Sequence, residues 1–175
     1  MAQFTTNVYW TEQTDMNSKD VIYYSKNKPL QWPDFKGTPP PPSQVAAITA
    51  SGFGYKADMK SVNGKGQINV AVYCYFSKGK SWVRPNKMTT YILTHEQHHF
   101  DATYLAAKMF IDKVKSLNLD GDNFNEALKR LYKQCCDTMN KLQQDYDGQT
   151  MNGQNETQQQ KWNRFFDERI ALVTK

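Results

Sequence analysis

The chain has 175 residues, a net charge of +5, 39% hydrophobic and 22% charged residues, and four Trp, ten Tyr and nine Phe. That composition excludes an intrinsically disordered chain, and no run approaches the roughly 18 apolar residues of a membrane span. Lys and Arg are scattered rather than blocked, which argues against a nucleic-acid partner, and the length suits one monomeric domain over residues 1–175, strand-rich in 1–84 and helical in 86–175.

The opening stretch, MAQFTTNVYW, has neither a basic region nor an apolar core, so it is expected to be a mature N-terminus behind an added Met rather than a signal peptide. VIYYS, residues 21–25, predicts a short strand. LQWPDFKGTPPPPS follows, and its four prolines, Pro39 to Pro42, predict an extended surface connector. VAAITASGFGYKADMK and GQINVAVYCYFSKGKSW flank VNGKG, whose Asn63-Gly64 pair is a hairpin signal. In the second strand Ile68, Val70, Val72, Cys74 and Phe76 share one face, because side chains alternate, while Asn69, Ala71, Tyr73 and Tyr75 share the other.

Beyond Pro85 the period becomes helical. Met88, Ile92, His95, His99, Ala102, Ala106, Phe110 and Val114 form an i, i+3/i+4 stripe, which predicts a helix from about Asn86 to Leu117. NLDGDN turns the chain; its DGD is a turn rather than a calcium loop, since the later ligands are absent. Asn123 with Glu126 predicts a capping box for a second helix, striped by Phe124, Leu128, Leu131, Cys135, Met139 and Leu142. Two glycines in DYDGQTMNGQN are expected to break that helix. A third carries Trp162, Phe165, Phe166, Ile170 and Val173. Strands followed by helices make the fold class α+β. Three cysteines, Cys74, Cys135 and Cys136, are no disulfide framework; one bridge from Cys74 or three free thiols are both open.

All three histidines fall within THEQHHFDA. His95 and His99 are four residues apart, so both imidazoles can face one ion from one side of a helix, at about 2.1 Å for zinc. Glu96 projects roughly 100° away, beside the ion, where it can take a proton from an activated water. His98 is expected to line the cleft or point to solvent. A second helix returning antiparallel from a turn near Asp120 brings His95 level with about Asp145 and His99 with about Lys141, so a third ligand is sought between Lys141 and Asn152. Asp101, two residues past His99, is read as a partner orienting an imidazole.

LQWPDFKGTP, AAITASGFGY, SWVRP, LTHEQHHFDA and YDGQTMNGQNETQQQKW occur in that order, from about Val21 to Ile170. This resembles a family of bacterial proteins regarded as secreted zinc-dependent proteases and catalogued as domain of unknown function nine-two-two. The family pattern is L-x-W-x-D-F-x-G, a central SW, H-E-Q-G-H-F-D, and a late Y-D-x-x-T-x-H-G ending in Q-x-x-W. The resemblance implies a small zincin-like α+β fold, peptidase activity on a peptide or protein substrate, one Zn²⁺ per chain and a periplasmic or secreted location. The chain departs at His98, where the family has Gly, and at Asn152, where it has His. Asn is a poor zinc ligand, so Asp147, matched to the family motif, is the first choice as third ligand and Asp145 the second. Glu96 is then the general base of a zinc metallopeptidase. The alternative is a non-catalytic zinc-binding or interaction domain, to which Asn152 points. In zincin-type sites an extended substrate joins an edge strand, and the hairpin ending at Phe76 is the candidate edge.

Overall fold

A computed structural model describes residues 4–63 and 65–173. Residues 1–3, where most of the expected mature terminus falls, and Gly64 of the hairpin signal lie outside the described residues. The fold is α+β, with strands first and three helices after them.

The main sheet is built on β5 (Lys65–Ser77), which pairs antiparallel along its length with β4 (Ser51–Val62). Asn63 takes the left-handed conformation, φ 52°, that this turn requires. The other edge of β5 is shared by β1 (Phe4–Trp10), which runs parallel to it, and β2 (Val21–Tyr23), which runs antiparallel. β5 is therefore the central strand and Phe76 itself lies on no open edge, whereas β4, the other strand of the hairpin, has β5 as its one strand partner among the described residues. β1 was not expected, because a parallel partner is specified by distant contacts and leaves no turn signal beside it. The face formed by Ile68, Val70, Val72, Cys74 and Phe76 is buried as its alternation requires. A separate two-stranded ribbon joins β3 (Ala47–Ile48) to β6 (Trp82–Val83). Gly37 lies under it: its N–H donates to Ser81 O at 2.7 Å, and a Cβ there would come within 2.8 Å of two backbone oxygens.

α1 (Thr90–Lys115) starts later than expected, because Pro85–Lys87 form a separate 3-10 turn and Thr89 caps the helix by accepting from Ile92 N–H. α1 lies between the sheet and the other two helices. Phe100, Phe110 and Val114 join the sheet-side core, whereas Ala102 packs with Tyr146 of α2 (Phe124–Thr150) and Phe166 of α3 (Glu156–Val173). Burial on both flanks explains His98. It is neither in the cleft nor in solvent but is buried, with its ring stacked on Phe166 at 4.8 Å.

At α2 one expectation fails. Asn123 makes no capping bond to the helix; its side chain accepts from Asp120 N–H and donates to Asn118 O, closing the preceding turn. The expected break in DYDGQTMNGQN does occur inside that stretch, but after Thr150 and not at its first glycine. The helix continues through Gly148 because Tyr146 and Thr150, both fully buried, hold its last turns in place. It ends where Met151, Asn152 and Gly153 take positive φ in succession. All three cysteines are free. Pro39–Pro42 form neither strand nor helix; their segment is pinned by Arg84, whose guanidinium donates to Pro40 O, Pro41 O and Ser43 Oγ. Trp32–Asp34 is a 3-10 turn in which Asp34 Oδ2 accepts from Gln31 N–H, and Trp32 packs on Phe35.

Candidate metal centre

Near the N-terminal end of α1, one helical turn separates His95 from His99, and their ring centroids are 5.0 Å apart. α2 returns antiparallel beside them and delivers Asp147 between the two rings. Asp147 Oδ1 is 3.2 Å from His95 Nε2 and 3.0 Å from His99 Nε2. The other nitrogen of each ring meets a glutamine carbonyl: His95 Nδ1 is 2.8 Å from Gln159 Oε1 on α3, and His99 Nδ1 is 2.9 Å from Gln143 Oε1 on α2. An amide oxygen only accepts, so each ring can donate from Nδ1, which leaves its Nε2 to meet either an ion or, without one, the accepting Asp147 carboxylate. Two imidazole nitrogens and a carboxylate oxygen thus converge within 4.8 Å of one another, a group that could hold a metal ion. Burial opposes charging His99, but the adjoining Asp147 and Glu96 carboxylates outweigh it and hold its pKa above the usual histidine value. Burial likewise raises the Asp147 pKa, yet the hydrogen bonds from His95 and His99 prevail and hold it well below the ordinary carboxylate range.

The group forms the floor of a cleft of ≈ 760 Å³, walled by residues 43–49 on one side and 152–154 on the other. Glu96, buried, opens onto the same cleft, with Thr49 Oγ1 donating to its Oε2 at 2.7 Å and lying 3.1 Å from its backbone oxygen. Tyr91 bridges the rim by donating to Gly153 O. Gly153 suits this place because its φ of 82° is one that residues with a Cβ rarely adopt, and its backbone packs against the His95 ring.

The other sequence candidates are dispersed. Asp145 points away and pairs with Lys141. Asn152 is exposed on the cleft wall and is not one of the converging atoms, its N–H closing the helix onto Asp147 O at 2.9 Å. Asp101 does orient an imidazole, but that of His98, by accepting from its Nδ1 at 2.8 Å. Its second oxygen accepts from Tyr24 and Gln97, and Gln97 Oε1 accepts from Leu30 N–H, so this network fastens the loop after β2 to α1. Gln143, Gln159 and Thr49 were not singled out from the sequence, whereas Tyr146 stood there beside Asp145 and Asp147 in the segment searched for a third ligand. Only Gln159 carried a usable signal, as the Gln of Q-x-x-W before Trp162. A smaller cavity of ≈ 350 Å³ beside Trp10, Tyr24 and Tyr104 shares no residue with this centre.

No curated protein and no solved structure matches the chain. The model of one family matches residues 77–155, a span narrower than that of the quoted motifs; it takes in α1, Gln143 and Asp147 and leaves out L-x-W-x-D-F-x-G and Gln159. The segment that carries His95, Glu96, His99 and Asp147 therefore matches the family described as "Bacterial protein of unknown function (DUF922)".

Proposed function

We propose that the chain is a zinc-dependent metallopeptidase, acting as a single-domain monomer on extended peptide segments in the periplasm or outside the cell. The observation that carries this reading is the convergence of His95 Nε2, His99 Nε2 and Asp147 Oδ1 on a cleft floor beside the buried carboxylate of Glu96. Two neutral imidazoles and one carboxylate are the donor set of catalytic zinc sites that keep a position open. Their contacts of 3.0 and 3.2 Å approach the ~3.3 Å edge of a tetrahedron with bonds of about 2.05 Å. His95, His99 and Asp147 would hold the ion, and zinc there supplies Lewis acidity, polarising a scissile carbonyl and acidifying water.

The chain's own groups do the rest. Thr49 occupies Glu96 Oε2 and holds the carboxylate in one rotamer, which leaves Oε1 to take the proton of the attacking water and return it to the leaving amine. β3 has one strand partner among the described residues and its residues line the cleft, so its other edge suits an added peptide strand. Ile48 and Tyr91, both exposed at the cleft, favour apolar substrate side chains.

Zinc uptake and cleavage of a mixed peptide library test the proposal together. The expected result is one zinc per chain and hydrolysis that falls by about 10²-fold or more in Glu96→Gln, with zinc content unchanged. Equal zinc in wild type and His99→Ala sinks the metal site. Zinc without any cleavage, or cleavage untouched by Glu96→Gln, leaves a metal-binding domain without catalysis.

A further inference from the structure

Gln159 connects to more than His95. Its Nε2 donates to Tyr146 OH at 2.7 Å and to Asn163 Oδ1 at 2.8 Å, and Tyr146 OH donates in turn to the backbone oxygen of His95 at 3.2 Å. Gln159 and Tyr146 are both fully buried, so water does not substitute for a missing partner. The His95 ring also lies flat on Tyr146, centroids 4.6 Å apart and planes 23° from parallel.

These bonds have a direction. A backbone carbonyl can only accept, so the single phenolic proton of Tyr146 points to His95 O. The phenol oxygen must then accept from Gln159, which puts the amide nitrogen on that side and Oε1 on the other. Oε1 can only accept, so Nδ1 of His95 carries the proton and Nε2 carries the lone pair. Turning the amide over would require Tyr146 to give its proton to Gln159 and abandon the His95 carbonyl. It would also place a donor on Nδ1 and move the ring proton to Nε2, onto the accepting Asp147 carboxylate at 3.2 Å, so without a bound cation the Tyr146–Gln159 circuit works against that pull. Gln143, only partly buried, has a bond to His99 but, among the described residues, no second partner fixing its amide, so His99 lacks this lock.

We propose that Gln159 is the positioning residue that sets the tautomer of His95, through a closed circuit that starts and ends on His95 itself: backbone carbonyl, Tyr146 hydroxyl, Gln159 amide, ring Nδ1. Its bearing on zinc rests on the proposed metal site, but the tautomer itself does not. α3 then contributes no ligand to the centre, yet decides whether α1 presents a lone pair or a proton to it.

The test uses the full chain with ¹⁵N-labelled histidine, metal-free and well above the ordinary histidine pKa of about 6.5, read by long-range ¹H–¹⁵N correlation. His95 is expected to be protonated at Nδ1 in the wild type and to shift toward Nε2–H in Gln159→Met. Zinc affinity, measured by chelator competition, should fall by about 10- to 100-fold in that variant. If Gln159→Met does not fold, Tyr146→Phe keeps the ring packing and unlocks the amide, and a mixture of the two tautomers is expected. An Nε2–H tautomer in the wild type overturns the proposal, as does an Nδ1–H tautomer that survives both substitutions. A wild type that takes up no zinc but holds Nδ1–H defeats the metal site while leaving Gln159 in its role.

Discussion

Asp147 Oδ1 faces two imidazole nitrogens at once, and at the scale of the residue this decides which side chain competes for the third ligand position. Asp145, two positions earlier, points about 200° around the helix and is engaged by Lys141. Asn152, five positions later, lies beyond the end of α2 on the cleft wall. Asp147→Asn should therefore cost more than about 100-fold in zinc affinity, since removing a ligand exceeds the 10- to 100-fold cost of removing a partner behind one. Asn152→His should change it by less than about threefold. Competitive titration of both variants checks this, and a tighter Asn152→His with an unaffected Asp147→Asn would reassign the site. The same sidedness explains His98. It lies on the flank of α1 that meets Phe166, so its Nδ1 is committed to Asp101 and its Nε2 is buried without a partner among the described residues.

Between Tyr146 and Thr150, helix α2 has to stay helical through a glycine, or Asp147 would not reach the rings. The helix persists there because two buried side chains anchor it, although Gly148 weakens it. A Cβ on Gly148 would meet nothing within 4 Å, and Gly148 is not among the positive-φ residues. Gly148→Ala should accordingly stabilise the fold by about 0.5–1 kcal/mol, through the smaller entropy of the unfolded chain. Urea denaturation is the measurement, with zinc affinity expected to stay within about threefold of wild type because no partner of Asp147 is disturbed. A destabilised variant would mean that the backbone at Gly148 needs a freedom the geometry does not reveal. Propensity read along the chain put the break within DYDGQTMNGQN, where it falls, but does not choose between the two glycines, because it counts them and not the burial of their neighbours.

Three helices meet at the proposed ion: α1 supplies His95 and His99, α2 supplies Asp147, and α3 holds His95 through Gln159. An ion bound there links the sheet-side core to the helix-side cluster of Ala102, Tyr146 and Phe166, since α1 belongs to both. Zinc held at a hundredfold its Kd should stabilise the molecule by about 2.7 kcal/mol, raising Tm by roughly 5–10 °C for a chain of this size. Calorimetry with zinc and then with a chelator reads the shift, which His99→Ala should abolish. A Tm indifferent to zinc in the wild type would show that no ion bridges these helices.

Local pattern was enough for the parts of the molecule that depend on near neighbours. Alternation in β5 marked its buried face, helical spacing marked three helices, and the i, i+4 spacing of His95 and His99 put both imidazoles on one side of α1, because period and face are properties of the backbone itself. The antiparallel return of α2 also brought the Lys141–Asn152 segment beside the histidines, since two helices joined by a short turn must run back along each other. Tertiary structure decided what depends on distant partners. These are the parallel pairing of β1, the survival of α2 through Gly148, the burial of His98 against α3, and the hydrogen bonds that direct Gln159 and Gln143 onto the imidazoles. Each of these is set by contacts between segments far apart in the chain, and no periodicity within one segment encodes which surface another will cover.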